Sequence, residues 1–109
     1  MQKKSKRDTG PPASPERAKG LKEMYYTYVL LSEMDKEFYT GFTTDLKERL
    51  QEHQRGKVLS TAKRRPLKLI YYEACLNEMD AIKREKYFKT GFGRRFLKNR
   101  LENFIEELS

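Results

Sequence analysis

Hydrophobic and polar positions change period several times along this 109-residue chain. YYTYVLLS, Tyr25–Ser32, is dense in the aromatic and β-branched residues that fit a pleated surface, and it predicts a strand. Met34, Asp35 and Lys36 supply a polar turn, and Glu37–Phe42 completes an antiparallel hairpin. The period then turns helical. Asp45 with Glu48 three residues on resembles a capping box, Leu46 and Leu50 form an apolar stripe, and Gly56 ends the helix. Pro66 precedes a third strand, LKLIYYEA. Asn77 then caps a helix over NEMDAIKREKYFK, with Asp80 in its first turn, Gly91 after its end, and Met79, Ile82 and Phe88 as the expected core face. RRFLKNRLENFIEEL spaces Phe96, Leu97, Leu101, Phe104, Ile105 and Leu108 as one amphipathic helix. The predicted order is β-β-α-β-α-α, an α+β class with about three helices and no internal repeat.

Size and composition limit this to one core: 13.0 kDa, 37% hydrophobic and 12% aromatic residues make a single small domain over 24–109. The lone Cys75, in the apolar run LIYYEAC, excludes an intramolecular disulfide, reads as a buried structural thiol and fits a reducing compartment. No apolar run approaches the roughly 20 residues that cross a bilayer, and no signal-peptide core precedes the domain, so a soluble cytoplasmic protein is expected, with no membrane partner.

Charge changes the picture more. The formal net charge is +8. Residues 1–23, rich in Lys, Arg, Pro, Gly and Ser, lack the apolar surface to offset their ordering entropy and read as a disordered basic tail, either a solvated leader or an arm for nucleic acid. RGKVLSTAKRRPLK contains Lys63, Arg64 and Arg65 and no acid, and GRRFLKNR follows Gly91. Two such runs in one small domain point to a polyanion, with Lys63, Arg64 and Arg65 expected on backbone phosphates.

The hairpin and its helix also gather proton-handling and charge-neutralising groups, Tyr28, Tyr39, Arg49 and His53. Arg49 and His53, four apart on a helix, share a face and are expected to reach one phosphate together, the guanidinium meeting the charge that builds on phosphorus. A phenol ordinarily ionises near pH 10, yet basic neighbours favour the phenolate and make Tyr28 a candidate base, assisted by Tyr39 or His53. Each of these residues also has a plain reading: tyrosines as strand packing, Arg49 as a surface ion pair with Glu48 or Glu52, His53 as a helix-end residue.

The tyrosine strand, the Tyr39-Thr40-Gly41 tripeptide, an Arg and a His on the next helix and a Glu on a later one resemble the GIY-YIG nuclease superfamily, most closely its small stand-alone bacterial members. The resemblance covers roughly Tyr25 to Arg100. It implies a three-stranded antiparallel sheet flanked by helices. By resemblance Tyr28 takes the place of the tyrosine in the first family tripeptide and Tyr39 that in the second. Gly41 closes the second tripeptide, Arg49 is the family arginine, and His53 stands where the family has histidine or tyrosine. Glu85 is the carboxylate that binds one divalent ion, Mg²⁺ or Mn²⁺. Tyr26-Thr27 replaces the first two residues of the first tripeptide, Phe42 stands where some relatives carry lysine, and Asn99 and Asn103 both lie near the family's polar residue after the glutamate. The resemblance implies a metal-dependent DNA endonuclease of repair or recombination, structured or duplex DNA as partner, and a protein partner or loops supplying specificity. A non-catalytic nucleic-acid-binding module and a basic RNA-associated protein are the competing readings.

Overall fold

A computed structural model describes residues 23–108. All but Glu23 of the expected basic tail lies outside the described residues. β1 (Tyr25–Ser32), β2 (Phe38–Thr43) and β3 (Leu67–Cys75) form one antiparallel sheet in the order β2-β1-β3. Four helices surround it: α1 (Leu46–Gln54), α2 (Glu78–Phe88), α3 (Gly91–Arg100) and α4 (Glu102–Glu107).

β1 is buried from Thr27 to Ser32 because it is central and covered on both faces. Its alternation sorts the core into two clusters. Tyr28 and Leu30 face α1 and pack with Leu67, Leu69, Tyr39, Leu46 and Leu50. Val29 faces the other way, against Phe88 of α2 and Leu97 of α3, backed by Phe38, Ile70, Tyr71, Tyr87 and Phe96. A bulge between Val29 and Leu30 shifts the register with β3 and brings Ile70 and Tyr71 into that same cluster.

The helix signals operate as expected in two cases. Asp45 accepts from the Glu48 N–H at 3.1 Å, and Asn77 accepts from that of Asp80 at 3.1 Å. Gly56 holds φ 78°, the left-handed turn that closes α1.

The C-terminal segment differs from the single helix expected from Arg94. Thr90 starts α3 by accepting from the Gly93 N–H at 3.1 Å, so Gly91 opens a helix instead of only ending one. The chain bends again at Leu101 (φ −109°, ψ 25°), dividing the amphipathic run into α3 and α4, the last two of the four α-helices among the described residues. Met79 is 60% exposed, and Ala81, not Met79, fills the core position, since the Thr27 hydroxyl donates to the Ala81 carbonyl at 2.8 Å and draws that turn of α2 onto β1. Cys75 is half-buried at the end of β3, with its thiol donating to the Asn77 carbonyl at 3.4 Å, instead of buried in the core.

Candidate active site

Tyr28 is directly opposite Gly41 in the β1–β2 ladder, and a Cβ at position 41 would overlap the Tyr28 ring and hydroxyl. Glycine is therefore required for the tyrosine to lie flat across β2. So placed, the Tyr28 hydroxyl meets His53 Nε2 at 2.8 Å. His53 is fully buried, and its other ring nitrogen, Nδ1, lies 2.7 Å from the Thr61 hydroxyl. The expected joint reach of Arg49 and His53 to one phosphate is thus corrected: the imidazole points inward, with both nitrogens occupied by protein groups.

Tyr39 stands beside this pair, with ring centroids 6.5 Å from Tyr28 and 5.3 Å from His53. Its hydroxyl accepts from Ser60 at 3.3 Å. The basic loop between α1 and β3 therefore forms a wall of the site through Ser60 and Thr61. Their partners are 21 and 8 residues away, so no local pattern marked them.

Arg49 is on the outer side of Tyr28. Its guanidinium bonds Glu52 Oε1 at 2.8 Å, sits against the Tyr28 phenol, and remains 36% exposed. A shallow cleft of about 300 Å³ opens there, lined by Phe42, Thr43, Asp45, Glu48, Arg49 and Glu52. Burial pushes the Tyr28 pKa above that of an ordinary phenol; the Arg49 contact lowers it, while the charges of Tyr39 and Glu85 raise it. The resting phenolate expected from basic neighbours is therefore not favoured, because burial outweighs Arg49. Burial also holds the imidazole of His53 below its usual value, with the Arg49 charge adding to the effect and Glu52 opposing it. The resting pair is a neutral phenol and a neutral imidazole.

Glu85 on α2 is close enough for its charge to act on Tyr28, and its carboxylate is 16% exposed and paired with Lys89 at 2.6 Å. Among the described residues no group of three or more His, Cys, Asp or Glu side chains converges as a metal cage. One carboxylate beside a pliant, 58% exposed lysine fits a hard ion that keeps most of its water ligands, as Mg²⁺ does.

The three basic loop residues divide. Arg64 bonds Asp35 at 2.7 Å and 3.3 Å and the Glu37 carbonyl at 3.3 Å, tying down the β1–β2 turn and holding the Asp35 carboxyl at about 2. Arg65 donates to the carbonyls of Ala62 at 2.9 Å and Gln54 at 3.3 Å. Lys63 alone of the three is exposed and without an engagement among the described residues. Phe42 stacks on Tyr25 at 6.3 Å, and Asn99 and Asn103 are both exposed, on α3 and α4. No helix among the described residues is long and apolar enough to cross a membrane.

Comparison with known proteins converges on one family. A family model described as the GIY-YIG catalytic domain matches residues 24–100. A UPF0213 protein of Lacticaseibacillus paracasei is 40% identical over 84 residues, covering 76% of this chain and 88% of its own length. One of Limosilactobacillus reuteri is 46% identical over 70 residues (62% and 72%), and one of Pediococcus acidilactici 43% over 68 residues (60% and 68%). No solved structure gives a significant match.

Proposed function

The chain belongs to the GIY-YIG family, and from that premise we propose that it is a divalent-metal-dependent endonuclease that hydrolyses DNA phosphodiester bonds, acting in the cytoplasm in DNA repair or recombination. The observation that carries the reading is the 2.8 Å contact between the Tyr28 hydroxyl and a buried, neutral His53, placed behind an exposed arginine.

Substrate phosphate enters the cleft at Arg49 and replaces Glu52 as the partner of the guanidinium, a planar donor suited to two phosphate oxygens. Water attacks phosphorus, the P–O bond to the leaving group breaks, and the proton of the water passes to the Tyr28 oxygen as the Tyr28 proton passes to His53 Nε2. The result is an imidazolium, a neutral tyrosine and an alkoxide that takes its proton from solvent. Tyr39 forms the side wall that keeps the phenol in line. Glu85 would hold the ion, which when bound supplies charge neutralisation to the phosphate and leaving oxygen. Lys63 serves as a phosphate contact outside the cleft.

Cleavage of labelled duplex, single-stranded and branched DNA with Mg²⁺ or Mn²⁺ tests this reading, with EDTA and Glu85→Gln as controls. Metal-dependent cutting that disappears in the variant is the expected result. Binding without cutting under every condition moves the protein to the second reading, a nucleic-acid-binding module that keeps the nuclease fold. The Glu52 and Lys89 partners of Arg49 and Glu85 are the feature that favours this alternative.

A further inference from the structure

We propose that Thr61 is a positioning residue that fixes His53 in the tautomer carrying its proton on Nδ1, leaving the Nε2 lone pair aimed at Tyr28. The inference deepens the proposed hydrolytic role of Tyr28 and rests on it, but its structural content stands separately.

His53 has two neutral forms, and the distances alone fit either. The proton inventory of its neighbours distinguishes them. Thr61 is fully buried and has one hydroxyl proton. Besides Nδ1, its oxygen meets the Val58 carbonyl at 3.5 Å, which can only accept. That carbonyl already accepts from the Thr61 and Ala62 N–H groups at 3.0 and 2.9 Å, so the hydroxyl contact is its long third one; with the hydroxyl turned that way, the Thr61 oxygen receives the proton of Nδ1–H.

The far side of the imidazole gives the same answer. Arg49 can only donate, so the guanidinium beside Tyr28 offers the phenol proton no acceptor. Tyr28 is 1% exposed, and among the described residues the hydrogen-bond acceptor at its hydroxyl is His53 Nε2. The other tautomer would put two protons between Tyr28 and His53 or leave the buried phenol O–H without a partner. The chain of donors is therefore Tyr28 to His53 to Thr61.

This direction has a chemical consequence. A phenol that stays protonated at rest cannot take a proton from water unless it passes its own proton on, and only an unprotonated Nε2 can receive it. When Nε2 does so, Nδ1–H stays on Thr61 and the imidazolium keeps both its hydrogen bonds. The charged and titratable groups facing this imidazole are Arg49 and Glu52 from its own helix, Tyr28 from β1 and Tyr39 from β2, with Glu85 reaching Tyr28 from α2. None of these supplies an alternative acceptor for the proton on Nδ1.

His53 is the chain's one histidine, so ¹⁵N NMR of the full-length protein reads this site without overlap. At pH 7.5 the wild type should show a protonated Nδ1 and an unprotonated Nε2. Thr61→Val, nearly isosteric but without the hydroxyl, should redistribute the tautomers and lower kcat about 10- to 100-fold with little change in KM, and Thr61→Ser should restore both. A wild-type spectrum with the proton on Nε2 overturns the proposal, as does Thr61→Val with unchanged spectrum and kcat. If Thr61→Val fails to fold, the wild-type spectrum and Thr61→Ser still decide. A wild-type protein that never cuts DNA sinks the nuclease reading, while its NMR spectrum still answers the tautomer question.

Discussion

Each face of the sheet holds an arginine, a glutamate and tyrosines, and the two sets behave differently. On the α2 and α3 face, Arg84 grips Glu73 through two bonds at 2.9 Å and 3.0 Å and lies over the rings of Tyr87, Phe88 and Phe96 at 5.0, 4.8 and 4.7 Å. Tyr71 donates to the same carboxylate at 2.8 Å, so the Glu73 carboxyl stays below its usual pKa: burial raises it, and the two bonded partners outweigh burial. On the α1 face, Arg49 bonds one carboxylate, a glutamate one turn along its own helix, sits against the Tyr28 phenol, and has open cleft on its other side. The chemical groups match; their saturation does not. The two guanidiniums are equally exposed, at 35% and 36%, so what differs is the number of partners: one stacked on rings and gripped by a two-pronged carboxylate is a structural member. One held by a single exposed carboxylate exchanges it readily for phosphate, because such surface pairs contribute little stability.

Swapping the test between the two arginines gives the largest effects. Arg49→Ala should lower kcat by about 10²- to 10³-fold, the loss typical of a donor to developing charge, while shifting stability by less than about 0.5 kcal/mol. Arg84→Ala should do the reverse, costing about 2–3 kcal/mol as the ion pair and stacked rings lose their partner, with kcat unchanged in the folded fraction. Urea denaturation beside a cleavage assay reads both. If Arg84→Ala abolished cutting in fully folded protein, the division between the two faces would be wrong.

Gly41→Ala comes next, at about 1–3 kcal/mol, because the new methyl must displace the Tyr28 ring. Its signature is loss of the Tyr28–His53 contact, visible as a shift of the histidine ¹⁵N signals. A smaller effect follows from pH. The unfolded chain protonates His53 near 6.5, whereas the folded protein does so only at lower pH. Its stabilising contribution is therefore complete above about 6.5 and is lost as pH falls through the folded value. Denaturation at pH 7.5 and 5.5 should show wild type weakening on acidification and His53→Gln changing less. Asp35, held at about 2 against an ordinary 3.8, enters only at still lower pH and does not confound that comparison.

The more open face was also the more legible in the sequence. Tyr28, Tyr39, Gly41 and Arg49 sit in a hairpin and its following helix, where alternation, a cap and a tight glycine fix geometry over short distances. The sequence puts His53 on this helix, but its inward aim depends on Thr61, supplied by a loop whose composition reads as a phosphate clamp. On the other face, Arg84 and Glu73 give no signal, since a charged residue beside Lys83 and Glu85 resembles a solvated helix surface until its guanidinium stacks on three rings from α2 and α3. Thr90 was missed as a cap because the glycine after it reads as a helix stop.

The same saturation argument extends to the basic loop, where it predicts the smallest effect. Arg64 and Arg65 both carry charge that composition alone assigns to DNA, yet Arg64 is paired with Asp35 and Arg65 is tied to two carbonyls, so each is held to the fold before any phosphate arrives. Lys63 has no such engagement among the described residues. Measured by DNA binding without metal over a salt series, Lys63→Ala should reduce the slope of log affinity against log salt by about 0.9, the release of one counterion. Arg64→Ala and Arg65→Ala should leave that slope unchanged and lower the melting temperature. Equal slope changes for all three would mean that the arginines abandon their internal partners on binding, and that saturation in the free protein does not identify the cations that meet the backbone.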